Sequence, residues 1–167
     1  KDISLDPFSI NWQQYEKIAI AKTAPFIALP MMGMFKCKEC TIDECDGLQL
    51  SSNYLGLCYQ YLNDVENLIG INQVLFTDIY NGHPNGMLIS ILDQLDEDNK
   101  LKIKNKPKLF FDYINKKTFF EQEKNINNFL KIAENEFHRT PKVVQPVLIS
   151  ITIEIKERLT NMMRKTS

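Results

Sequence analysis

Tyr54-Leu55-Gly56-Leu57-Cys58-Tyr59-Gln60-Tyr61-Leu62-Asn63-Asp64-Val65-Glu66-Asn67-Leu68-Ile69 decides the fold class. Tyr54, Cys58, Tyr61, Val65 and Leu68 recur at helical intervals with Leu55, Leu62 and Ile69 beside them, while Gln60, Asn63, Asp64, Glu66 and Asn67 fall opposite. That periodicity predicts an amphipathic helix over about 53–69, capped by Ser52 or Asn53 and closed by Gly70. Outward from it, Trp12, Tyr15, Ile18 and Ala19 mark an earlier helix that Pro25 is expected to end or kink, because proline removes a donor and crowds the preceding turn. Thr118-Phe119-Phe120-Glu121 reads as a capping box that starts a helix carrying Ile126, Phe129, Leu130, Ala133 and Phe137, and this helix should stop near His138, before Pro141.

Two stretches admit two readings. Val147 to Lys156 alternates as a half-buried strand would, yet Leu148, Ile151, Ile155, Leu159 and Met162 also trace a helical face, and the helix is preferred. Gln73 to Tyr80 and Met87 to Leu92 form either a hairpin across Asn81 to Gly86 or two short helices. The expected architecture is a mainly α, single-domain, irregular helical bundle over 1–167 with room for one small β-hairpin; α+β is the alternative. At 167 residues the chain is long enough to bury a core of its own.

Composition narrows the functional classes. A formal net charge of −1, with 25% charged residues, gives no overall field to attract a polyanion, so nucleic acid is not expected as a partner. Lys22, Pro25 and Pro30 interrupt the apolar run Ile18 to Phe35, so no transmembrane segment is expected. Lys100, Lys102, Lys104, Lys106 and Lys108 alternate after Asp93, Asp96, Glu97 and Asp98; an extended backbone would set the five ammonium groups on one side, as an exposed loop or edge without a nucleic-acid role.

Cys37, Cys40, Cys45 and Cys58 are all the cysteines of the chain. An even, close-set group in a chain that begins at Lys1 is read as disulfides, with Cys58 joining a helix to the preceding loop, which places the protein in a periplasmic or secreted compartment; cytoplasmic is the alternative. The competing reading takes Cys37, Cys40 and Cys45 as thiolate ligands of zinc with His83 as a fourth ligand, or as a Cys/His enzyme with His83 as base. No complete catalytic motif is present, so no catalytic residue and no cofactor are assigned. The irregular run Pro25 to Phe35 has methionines at 31, 32 and 34. Held by the cysteines, it is expected to form an apolar loop through which the domain binds another protein without doing chemistry. Phe26, Met31, Met32, Met34 and Phe35 are the contact residues of that reading, with His83 as a second contact.

Overall fold

The structure, a computed structural model, describes residues 6–35, 40–69 and 83–166. Among them are six α-helices: α1 Trp12–Phe35, α2 Ile42–Leu68, α3 Gly86–Leu92, α4 Glu97–Asn105, α5 Lys116–Glu136 and α6 Gln145–Thr166. Short 3-10 helices occupy Pro107–Tyr113 and Phe137–Arg139, and no strand occurs among the described residues. The mainly α reading holds. Met87 to Leu92 lies in a helix, so no hairpin is made there, and Gln73 to Tyr80 lies outside the described residues.

α2 is the centre of the bundle. It begins well before the predicted start, because Thr41 and Glu44 form a reciprocal cap: Thr41 Oγ1 accepts from Glu44 N at 3.2 Å and Glu44 Oε2 accepts from Thr41 N at 2.9 Å. Asp43 and Glu44 in the first turn also complement the positive end of the helix dipole. α1 and α5 pack on it most extensively, with α6 and the second 3-10 helix behind them. This explains a departure from the amphipathic reading. Gln60, Asp64 and Glu66, placed on the polar face by periodicity, are all buried, because α2 has neighbours on both sides.

α1 runs unbroken through Pro25 and Pro30, where the sequence predicted a stop and then an irregular loop. The two prolines leave the carbonyls of Ala21 and Phe26 without an intrahelical donor, but both residues are exposed, so water can serve them. α5 starts three residues ahead of the expected capping box. Asn115 is its cap, its Oδ1 accepting from Thr118 N at 3.1 Å, and Thr118 itself is buried in the first turn.

For α6 the helical alternative holds. Leu148, Thr152, Ile155, Leu159 and Met162 are buried at alternating steps of four and three, which is the seam of a helix packed on helices. Arg158 fastens it to α2: its guanidinium donates to Glu66 Oε1 at 3.0 Å and Oε2 at 2.7 Å, reaches Asn63 Oδ1 at 2.8 Å, and lies 4.9 Å from the centre of the Tyr59 ring.

The lysine-rich segment is not extended. Lys100, Lys102 and Lys104 sit in α4, where a helical turn scatters them; Lys100 pairs with Glu97 at 2.7 Å and Lys104 with Asp6 at 2.7 Å. The acidic run supplies the cap of this helix, since Asp96 Oδ1 accepts from Asn99 N at 2.8 Å. No described helix is long and apolar enough to cross a membrane.

Candidate functional site

The expected staple is not formed. Cys40, Cys45 and Cys58 are free thiols, with Cys40 half-buried, Cys45 exposed and Cys58 buried; Cys37 lies outside the described residues. Cys58 sits on the inner face of α2, as its periodicity required, but its Sγ donates to Ile126 O of α5 at 3.6 Å instead of bonding a loop cysteine. Burial pushes that thiol up to about 12, so it stays protonated at neutral pH and is a poor nucleophile or metal ligand. Because the folded value lies above the unfolded one, its linkage to folding is neutral at lower pH, and it costs stability as pH rises from about 9 toward 12.

The zinc alternative needs Cys37, which lies outside the described residues. No group of three or more His, Cys, Asp or Glu side chains able to hold a metal ion exists among the described residues. His83 lines a pocket with residues of α1 and α2. The apolar loop expected over Pro25 to Phe35 is instead the end of α1. Phe26 is 80% exposed, Met31 is buried at 3% and Met32 is half-buried, while the side chains of Met34 and Phe35 are not among those described. With the disulfides goes the argument that placed the chain in an oxidising compartment.

The structure instead draws attention to the crossing of α1 and α2. The helices run antiparallel, so Ala24, Thr23 and Tyr15 of α1 meet Gly56, Gln60 and Asp64 of α2 in reverse order. Gly56 lets the backbones close up, and its missing side chain leaves Ala24 in direct contact. Below that contact the helices and the segment leading into α3 enclose a pocket of about 300 Å³. Among the described residues its walls are Tyr15, Ile18, Ala19 and Lys22 of α1, Gln60 of α2, and His83 and Pro84.

Tyr15, Ala19 and Gln60 are buried, Ile18 and Pro84 are half-buried, and Lys22 and His83 are exposed, so the two basic side chains stand where the pocket meets solvent. Lys22 has no carboxylate within ion-pair distance among the described residues. Ile18 and Lys22 are one helical turn apart, which puts an apolar group and an ammonium on the same wall.

Behind the walls lies Asp64, 1% exposed. Its Oδ2 accepts from Tyr15 Oη at 2.7 Å and from Gly86 N at 2.6 Å, and its Oδ1 accepts from Gln60 Nε2 at 2.9 Å. One carboxylate thus ties α1, α2 and the start of α3. On the other side of Tyr15 is an aromatic cluster: Tyr61 stacks on Trp12 at 5.7 Å and meets Tyr15 and Phe129 edge-on at 5.3 and 5.4 Å. Burial, with Glu16 and Asp64 nearby, raises the Tyr61 phenol far above its ordinary range, so this ring of the cluster stays neutral.

Of the residues singled out by sequence, only His83 belongs to this pocket. Tyr15, Lys22, Gln60 and Asp64 were missed as site residues, and the available signal was Gly56, Gln60 and Asp64 at successive four-residue steps, a row that brings one small and two polar groups to a single helix face. Compared with protein-family profiles, with curated proteins and with solved structures, the chain finds no match.

Proposed function

We propose that the chain is a ligand-binding domain whose pocket between α1, α2 and His83–Pro84 takes a small molecule with an anionic group and an apolar body. The observation that supports this reading is the make-up of the described walls: two groups able to carry positive charge, Lys22 and His83, none that carries negative charge, and apolar surface from Ile18, Ala19 and Pro84. Asp64, behind the walls, accepts hydrogen bonds from Tyr15 Oη, Gln60 Nε2 and Gly86 N. A volume of about 300 Å³ is at the lower end of ordinary ligand sites, which suits a compact molecule.

Anilinonaphthalene sulfonate, which joins an anion to fused rings, is a suitable probe. Saturable, one-to-one fluorescence enhancement is expected, and Lys22→Met should weaken it about tenfold, the loss of one charge-assisted contact. Lys102→Met, on a distant helix, should leave it unchanged. Equal affinity in the Lys22→Met and wild-type proteins would sink the reading.

A second reading has its own observation. Phe26 and Leu29 are 80% and 64% exposed along one stripe of α1, and large apolar groups so placed suit contact with another protein. Phe26→Asp should then leave the melting temperature near wild type while reducing capture of that protein. Unfolding of the variant would instead assign the ring a role in packing.

A further inference from the structure

We infer that Asp64 is a positioning residue for the pocket, which it does not itself line: it sets the Tyr15 and Gln60 walls and couples ligand occupancy to the docking of α3. This rests on the ligand-binding reading above. Asp64 holds three donors from three different places in the chain, and two of those donors, Tyr15 Oη and Gln60 Nε2, belong to pocket-lining residues. The third, Gly86 N, follows directly on the His83-Pro84-Asn85 segment that forms the lip. A carboxylate taken out of water is costly, and apolar packing would hold three helices together at least as well, so the arrangement is better explained by the orientation it imposes.

That orientation can be read from the hydrogen bonds. Gln60 turns its amide nitrogen toward Asp64 Oδ1, to which it donates at 2.9 Å. The Gln60 carbonyl is then left facing α1, where it accepts from Thr23 Oγ1 at 3.4 Å, one residue from Lys22. Asp64 thereby decides which end of the Gln60 amide is offered on the pocket side. Through Gly86 N it also fixes the first residue of α3, whose next two amides are already occupied by Asn85 Oδ1 at 3.0 and 3.2 Å. A ligand that presses on Tyr15 and Gln60 therefore presses on two partners of one buried group, and through His83 on the segment that leads to a third, Gly86, so the lip and walls should tighten together.

The test compares wild type with Asp64→Asn, which keeps the side chain's size but replaces one of its two accepting oxygens with a donating NH2 group. Two probes are used, anilinonaphthalene sulfonate and phenylnaphthylamine, the same ring system without the sulfonate, so that the change of charge at position 64 is separated from the change of shape. Amide hydrogen exchange is followed at Gly86, Met87 and Leu88 with and without the sulfonate probe. In wild type the probe should slow exchange at these amides. In Asp64→Asn that slowing should vanish and phenylnaphthylamine should bind about tenfold more weakly, while exchange in the middle of α5 stays as in wild type. If the variant slows exchange on binding as wild type does, or binds the neutral probe equally well, Asp64 serves only to hold the fold and the inference falls. If wild type itself binds neither probe, the ligand-binding reading falls and takes the inference with it, an outcome distinct from a variant that binds normally. Should Asp64→Asn fail to fold, Tyr15→Phe removes one of the three donors and no ring carbon, and a smaller loss of both affinity and coupling is expected; unchanged coupling overturns the proposal.

Discussion

Gly56→Leu is expected to abolish the native fold. A β-carbon built at Gly56 would stand 2.9 Å from Ala24 N and 3.1 Å from Ala24 Cα, distances that backbone atoms cannot relieve by turning a side chain. Even Gly56→Ala should cost about 1–3 kcal/mol of overpacking, against a gain in helix propensity of at most about 1 kcal/mol. Leucine adds three more carbons to the same place and must lever α1 off α2, the contact on which the pocket walls also depend. Chemical denaturation followed by circular dichroism reads the effect, and Gly33→Ala is the matched control. Nothing lies within 4 Å of a β-carbon at Gly33, so that change should be neutral or slightly stabilising. A cooperative, wild-type-like transition for Gly56→Leu would mean that the helices are not in close contact here.

The limits of sequence reading fall at identifiable physical points. Periodicity located the inner face of α2 correctly, since Cys58, Tyr61, Val65 and Leu68 are all buried, because that face is continuous and strongly apolar. It misjudged the other face because period alone counts apolar residues and cannot see a second layer of helices. Gln60 and Asp64 look solvated in one dimension and become internal once α1 closes over them. For α1 the prolines were given their average meaning, a break, whereas here the carbonyls they orphan lie on exposed residues and the helix pays little.

The cysteines were misread for a different reason. Closeness in sequence says nothing about which way each thiol points, and Cys58 points into the core toward Ile126 O while Cys45 faces solvent. The lysine alternation failed similarly: a period of two implies one row only on an extended backbone, and Asp96 caps a helix at that place. His83 could be chosen as a functional candidate from its turn-rich surroundings. Its companions could not, since Tyr15, Lys22 and Gln60 are brought to it only by the antiparallel crossing that Gly56 permits.

Tyr61→Ala is the other change expected to be severe, at about 3–5 kcal/mol, the range for removing a fully buried large side chain. Tyr61 is 1% exposed and touches Trp12 and Tyr15 from α1 and Phe129 from α5, so its ring is where the two layers around α2 meet. Aromatic pairs of this geometry add about 0.5–1.5 kcal/mol beyond area burial, and the resulting cavity would border Tyr15 and loosen one pocket wall. Because Phe129 spends much of its packing on Tyr61, the double variant Tyr61→Ala/Phe129→Ala should lose less stability than the two single losses added together. Urea midpoints for the four proteins of that cycle measure the coupling. Strict additivity would show that Tyr61 and Phe129 contribute independently, and that α1 and α5 are joined to α2 by separate contacts instead of one shared cluster.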